Sequence, residues 1–170
     1  MQAIDGLLMN GLTDEQIRSY LAQAVAVAEE NARKGRGGPF GAVIVRDKVV
    51  IGTGVNRVVA ENDPTAHAEV LAIRAACLKL GNFSLRGCIL FASCEPCPMC
   101  LSAIYWARIE TVCYAARTDE AAAAGFDDST LWREITTKPA DRILRMKRLE
   151  IPSASLPFKA WIATDNKVPY

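Results

Sequence analysis

The sequence contains a single histidine, His67, in 170 residues, so a metal site built from this chain has one imidazole at its disposal and takes its other ligands from sulfur or carboxylate. It also lacks any apolar run approaching the roughly 20 residues needed to cross a bilayer. Met1 to Asn10 has no basic segment leading into a long apolar stretch, which argues against export or insertion and for a cytoplasmic chain with no membrane partner. Charge of one sign is missing too: 20 Lys and Arg against 19 Asp and Glu leave a formal net charge of +1, without the electrostatic footprint expected of a nucleic-acid partner. The one basic concentration, Arg142, Arg145, Lys147 and Arg148, is interleaved with Ile143, Leu144, Met146 and Leu149 and reads as a solvated strand or helix edge. There is no internal repeat and no low-complexity segment. What remains, 51% hydrophobic, is enough for one domain over 1–170 with a core of its own. Six cysteines in such a chain argue for reduced thiols, two serving a metal and Cys77, Cys88, Cys94 and Cys113 buried in core elements.

Two short motifs carry the chemistry. His67-Ala68-Glu69 precedes Pro96-Cys97-Pro98-Met99-Cys100, which together supply three zinc ligands, His67, Cys97 and Cys100, and a carboxylate without a coordination task. Zinc prefers four ligands in a tetrahedron, and a site with three from protein keeps its fourth position for a water that the metal acidifies to a pKa of about 7. Glu69 is then free to take that water's proton and hand it on as a general acid. The same pattern describes zinc nucleobase deaminases as a class. Cys-x-x-Cys alone also suits a redox pair or half a structural zinc site. Cys94, evenly spaced before Cys97 and Cys100, could close a purely structural Cys3His site, although its place after Ile89-Leu90-Phe91 favours a small buried hydrophobe.

The periodicities place these motifs. Thr13-Asp14-Glu15-Gln16 reads as a capping box for a helix running to Gly35. Phe40 to Arg46 and Val49 to Asn56 read as a hairpin about Asp47-Lys48. Asp63 as cap and Pro64 at the first helical position predict a helix through His67 to Gly81, and Cys97 opens a second one to Arg108. Strands are expected at Cys88 to Ser93, Thr111 to Ala115 and Arg142 to Ile151, a short helix at Ala121 to Ala124, a turn around Leu131-Trp132, and a last helix at Pro157 to Ile162. Alternating strands and helices imply an α/β fold, a sheet covered on both faces with a parallel component.

With those residues in hand, the chain resembles the cytidine deaminase-like superfamily and, within it, the bacterial guanine deaminases. The carriers are Gly38-Pro39-Phe40-Gly41-Ala42-Val43-Ile44-Val45, Asn62 to Val70, Ser93 to Cys100, and Ala103-Ile104-Tyr105-Trp106-Ala107-Arg108; Gly125-Phe126-Asp127-Asp128-Ser129 and the terminal Tyr170 pull it toward guanine. The resemblance implies a three-layer α-β-α sandwich about a mixed five-stranded sheet, one Zn2+ per subunit, and hydrolysis of guanine at C2 to xanthine and ammonia. It implies that Asn56, the Ala68 backbone, Asp128 and Tyr170 surround the base between Phe40 and Trp106, and that a segment of about 153–170 closes an active site, exchanged between subunits of a homodimer. Guanine offers an N1 hydrogen and an amine beside a carbonyl, which a carboxylate such as Asp128 and an amide such as Asn56 can match. Asp127-Asp128-Ser129 could equally cap the next helix, and Asn56 could end a strand as a turn residue. Glu134 is a candidate for a second proton-relay carboxylate or a solvated helix charge. A tRNA adenosine deaminase shares the zinc motifs, but a flipped nucleotide and its flanks call for a basic surface. A zinc-stabilised binding module without turnover would leave Glu69 without a role.

Overall fold

The Thr13 hydroxyl accepts the Gln16 N–H at 3.2 Å while the Gln16 side chain accepts the Thr13 N–H at 3.0 Å, so the first helix, α1 (Asp14–Arg33), starts with its capping box closed. The structure is a computed structural model and describes residues 11–169. After α1 come β1 (Gly41–Arg46), β2 (Val49–Val55), a one-turn helix α2 (Val58–Glu61), α3 (Ala68–Leu80), β3 (Ile89–Cys94), α4 (Pro98–Trp106) and β4 (Thr111–Ala116). Then follow α5 (Thr118–Ala123), α6 (Ser129–Thr136), a 3-10 turn at Pro139–Asp141 and α7 (Leu156–Ala163). The β1–β2 hairpin turns on Asp47 and Lys48, both left-handed with φ 50 and 64. This pair of positive φ values belongs to the tight turn whose twist matches the flanking strands, and it forms here without glycine.

The sheet runs β2-β1-β3-β4. β1 is antiparallel to β2 and to β3, while β3 and β4 are parallel with α4 as the crossover. Side chains alternate across a strand, and β1 divides accordingly. Ala42 and Ile44 join a core with Ala68, Ala72 and Ala76 of α3 and Ile104 of α4, while Val43 and Val45 join Ile17 and Ala24 of α1. Helices on both faces make the three layers of the expected α-β-α sandwich. A Cβ on Gly54 would stand 2.1 Å from the Ala68 carbonyl oxygen, and one on Gly52 would stand 2.4 Å from that of Ala72. The alanine face of α3 therefore lies directly on bare strand backbone.

Two compact units divide inside α6, the first ending at Leu131 and the second beginning at Trp132. The first holds the whole sheet. In the second, the Glu134 carboxylate accepts the Ile143 N–H at 2.7 Å and the Arg142 guanidinium donates to the Thr137 carbonyl at 3.0 Å. The expectation of a fifth strand at Arg142 to Ile151 is corrected: the described sheet has four strands, and this segment is irregular. A strand needs a ladder partner, and none of the described residues pairs with this one; Ile143, Leu144, Met146 and Leu149 remain exposed. No helix among the described residues is long and apolar enough to cross a membrane.

Candidate active site

His67 is the N-cap of α3 and Cys97 the N-cap of α4, so the two helix starts that carry the motifs face one point. The onset of α3 differs from the expectation at Asp63. The Asp63 carboxylate accepts the Thr65 N–H at 2.8 Å and the Thr65 hydroxyl at 2.7 Å, closing a side-chain turn that spends the would-be cap before the helix begins. Delaying the start to Ala68 leaves His67 extended, at φ −76 and ψ 155, and aims its ring out of the first turn. Pro98 occupies the first helical position of α4, where its missing N–H costs nothing. Cys97 and Cys100 then share one face.

The His67 Nδ1 atom is 3.6 Å from Cys97 Sγ and 3.5 Å from Cys100 Sγ. Zinc bonded to sulfur at about 2.3 Å and to nitrogen at about 2.05 Å, with tetrahedral angles, separates its sulfur and nitrogen ligands by roughly 3.5 Å. The three side chains fit that ion, and among the described residues they are the one such cluster. Their protonation agrees. A hydrogen bond from the Cys100 thiol pulls Cys97 down to about 4, and the same bond with burial pushes Cys100 up. The hydrogen bond to Cys97 raises His67, so a divalent cation takes the place of shared protons. Cys94 stays outside the cluster. It is buried, its thiol donates to the Arg117 carbonyl at 3.7 Å, and burial raises it, which removes the closed Cys3His alternative.

Glu69 sits on the first turn of α3 and is 8% exposed. Burial raises its carboxyl above the ordinary glutamate range, the direction that suits a group meant to hold and release a proton near neutrality. His67, Glu69, Cys94, Glu95 and Cys97 border a cavity of about 620 Å³, within the range of roughly 300–1,000 Å³ typical of small-molecule sites. Its rim is formed where β2 and β3 end and where β1 begins.

Asn56, Asp128 and Phe40 line the same cavity, as expected. Asn56 is 7% exposed, and its side-chain oxygen accepts the Gly38 N–H at 3.2 Å and the Val58 N–H at 3.4 Å. With that oxygen occupied, its NH2 is the group left for a ligand, as a donor. The local turn before α6 belongs to Asp127, whose carboxylate accepts the Ser129 N–H at 2.9 Å, leaving the neighbouring Asp128 on the cavity wall. Ala68, the first residue of α3, is fully buried, and its N–H is one of those a helix cannot use itself.

Three of the expected residues are not among the cavity's described lining. Trp106 does not line the cavity and is 61% exposed at the end of α4; six positions past Cys100 rotate a side chain about 120° off the metal face. Glu134 belongs to the second unit, with its carboxylate on the Ile143 amide. Tyr170 lies outside the described residues. Sequence reasoning gave no role to Phe126, whose ring meets Phe40 edge-on at 4.9 Å and 86°, a favourable aromatic geometry that walls the cavity with two rings. An aromatic inside Gly125-Phe126-Asp127-Asp128, a loop of otherwise polar and glycine residues, was the signal available.

Residues 14–116 match the cytidine and deoxycytidylate deaminase zinc-binding region. Guanine deaminase of Bacillus subtilis is 51% identical over 152 residues, spanning 89% of this chain and 97% of that protein. The X-ray structure of the Bacillus subtilis guanine deaminase superposes with a TM-score of 0.88 at 49% identity, covering 94% of this chain and 99% of that one. Another solved structure, a complex with 8-azaguanine, is 34% identical with a TM-score of 0.63, over 66% of this chain and 65% of that one. The tRNA-specific adenosine deaminase of Aquifex aeolicus is 42% identical over 97 residues, 57% of this chain and 64% of that protein.

Proposed function

Since the chain belongs to the cytidine and deoxycytidylate deaminase family, on the branch of the bacterial guanine deaminases, we propose that it hydrolyses guanine to xanthine and ammonia. The observation that carries this reading is the convergence of His67, Cys97, Cys100 and buried Glu69 on one cavity with a carboxylate, an amide and two rings. When bound, zinc lowers the pKa of a water to about 7 and so furnishes the nucleophile. Beside that site, the Glu69 carboxylate would take one proton from a water adding to C2 and pass it to the neighbouring ring nitrogen; carrying the added hydroxyl's remaining proton to the exocyclic amine, it would let the C–N bond break and ammonia leave as the C2 carbonyl forms. Asp128 faces the N1 and amine hydrogens, the Asn56 NH2 donates to the ring's carbonyl side, and Phe40 and Phe126 cover the flat base. The Ala68 N–H, on the first turn of α3, donates to the base as well. Polar contacts of this kind discriminate strongly, because an analogue without its partner group leaves a buried donor or acceptor unpaired.

In this reading the working unit is a homodimer. Leu156, Phe158, Trp161 and Ile162 of the second unit and Tyr105 and Trp106 of the first are exposed in the single chain, apolar side chains that a second subunit would cover. Residues 153–170, with Tyr170 at the end, close an active site and are exchanged between subunits, and Glu134 serves the same site as a second proton carrier. The six cysteines are free, in keeping with a reducing cytoplasm. The test is ammonia release by the zinc-loaded protein from guanine, cytosine, an aminotriazine and tRNA adenosine. Guanine is expected to be turned over fastest; preferential inosine formation in tRNA, or no ammonia from guanine at full zinc content, would overturn the reading.

A further inference from the structure

Asn31, near the C-terminal end of α1, has no place in the chemistry above, yet it is polar, 4% exposed and committed to the cavity's rim. Its Nδ2 donates to the Gly38 carbonyl at 3.0 Å and to the Asn56 carbonyl at 2.9 Å. Both hydrogens of one amide are thus spent on two segments far apart in sequence, the glycine loop and the end of β2. The same two segments are joined a second time by the bond from the Gly38 N–H to Asn56 Oδ1. The approach is too close for a side chain at Gly37, where a Cβ would stand 2.1 Å from the Asn56 carbonyl oxygen and 3.1 Å from Asn31 Nδ2.

We infer that Asn31 is a positioning residue for base recognition: it fixes the Gly38 and Asn56 backbones so that Asn56 Oδ1 stays on the Gly38 and Val58 amides and its NH2 faces the bound base. The inference rests on the proposed deamination of guanine and adds to it a residue that never touches the substrate. An amide is needed at position 31 because the two partners are both carbonyls, and Asn is the short side chain that offers two hydrogens from one atom. Without it, the buried Asn56 carbonyl loses its Asn31 donor and the Gly38 carbonyl keeps only the Phe40 N–H at 2.9 Å, the loop and the strand end are held more loosely, and Asn56 gains freedom to turn its acceptor toward an acceptor on the base. A displacement of about 1 Å at such a contact is worth on the order of a hundredfold in rate.

The test is a double-mutant cycle between Asn31→Leu and Asn56→Ala, reading kcat/KM for guanine, with thermal midpoint and zinc content measured in parallel. Positioning through Asn56 requires that Asn31→Leu lower kcat/KM about ten- to a hundredfold with zinc retained, and that it lower it less than about twofold further once Asn56 is alanine. Multiplying penalties, or a lowered midpoint with unchanged kcat/KM, would overturn the assignment and leave Asn31 a packing residue. Should the leucine variant not fold, Asn31→Ala, which admits water to the two carbonyls, enters the same cycle. Hydrogen exchange separates this inference from the proposed activity. The Gly38 and Val58 amides are expected to exchange faster in the variant whether or not wild-type protein acts on guanine, and unchanged protection there would refute the latch.

Discussion

Glu69 bears the most specific consequences of any single residue. Replaced by glutamine, it keeps its shape and loses its proton chemistry, so turnover is expected to fall about 10²- to 10⁴-fold with zinc content unchanged; metal analysis beside an ammonia assay checks both. Its raised pKa makes a second statement, with a definite sign. A carboxyl that holds its proton more tightly in the fold than in the unfolded chain subtracts stability as pH rises above the ordinary value of 4.5, and the loss persists at neutrality. Zinc-free Glu69→Gln is therefore expected to melt higher than zinc-free wild type at pH 7 and level with it at the acid end; a lower melting point at pH 7 would contradict the burial argument. Cys94→Ser tests the remaining ligand question. Because its thiol turns to the Arg117 carbonyl, the variant is expected to retain its zinc, as measured on the folded protein.

Among the elements, α3 is held to its depth by glycine. With the Ala68 carbonyl 2.1 Å from where a Cβ on Gly54 would lie, Gly54→Val has no room to relax into and is expected to cost about 3 kcal/mol or more, with zinc lost because His67 moves away with the helix start. Thermal melting and metal content would show it. The elements also show where sequence was readable. The capping box at Thr13, the Asp47-Lys48 turn and the four strands of the sheet follow from local chemistry within a few residues, which a sequence displays directly. The start of α3 is ambiguous in the sequence because Asp63 satisfies a turn as readily as a cap, and only the fold chooses between the two. The segment 142–151 has strand-like composition, but a strand is a relation between two segments, and composition holds only one of them. The metal ligands were legible because their spacing encodes a shared helix face. Asn31 was not, since its partners lie at residues 38 and 56 and are backbone atoms without any side-chain signature.

For the molecule as a whole, the metal ligands and the tail proposed to close the pocket fall in different units. His67, Cys97 and Cys100 all belong to the first unit, and the second begins only at Trp132. Deleting residues 165–170 is accordingly expected to lower guanine turnover sharply while zinc content stays at one per chain, by the same paired measurements; full activity in the truncated protein would remove the tail from the site. The proposed subunit exchange predicts a concentration dependence, since a pocket completed by a second copy would lose specific activity on dilution below the dimer's dissociation constant.

The solitary imidazole has a practical use. With one histidine in 170 residues and its Nδ1 turned to both sulfurs, the ring proton must reside on Nε2 whenever the metal is held, since the tautomer follows from which nitrogen is engaged. A nitrogen-15 spectrum of selectively labelled protein would therefore contain a single pair of ring signals. Those two lines would report site occupancy directly in the purified protein, with no other resonance of their kind to overlap them.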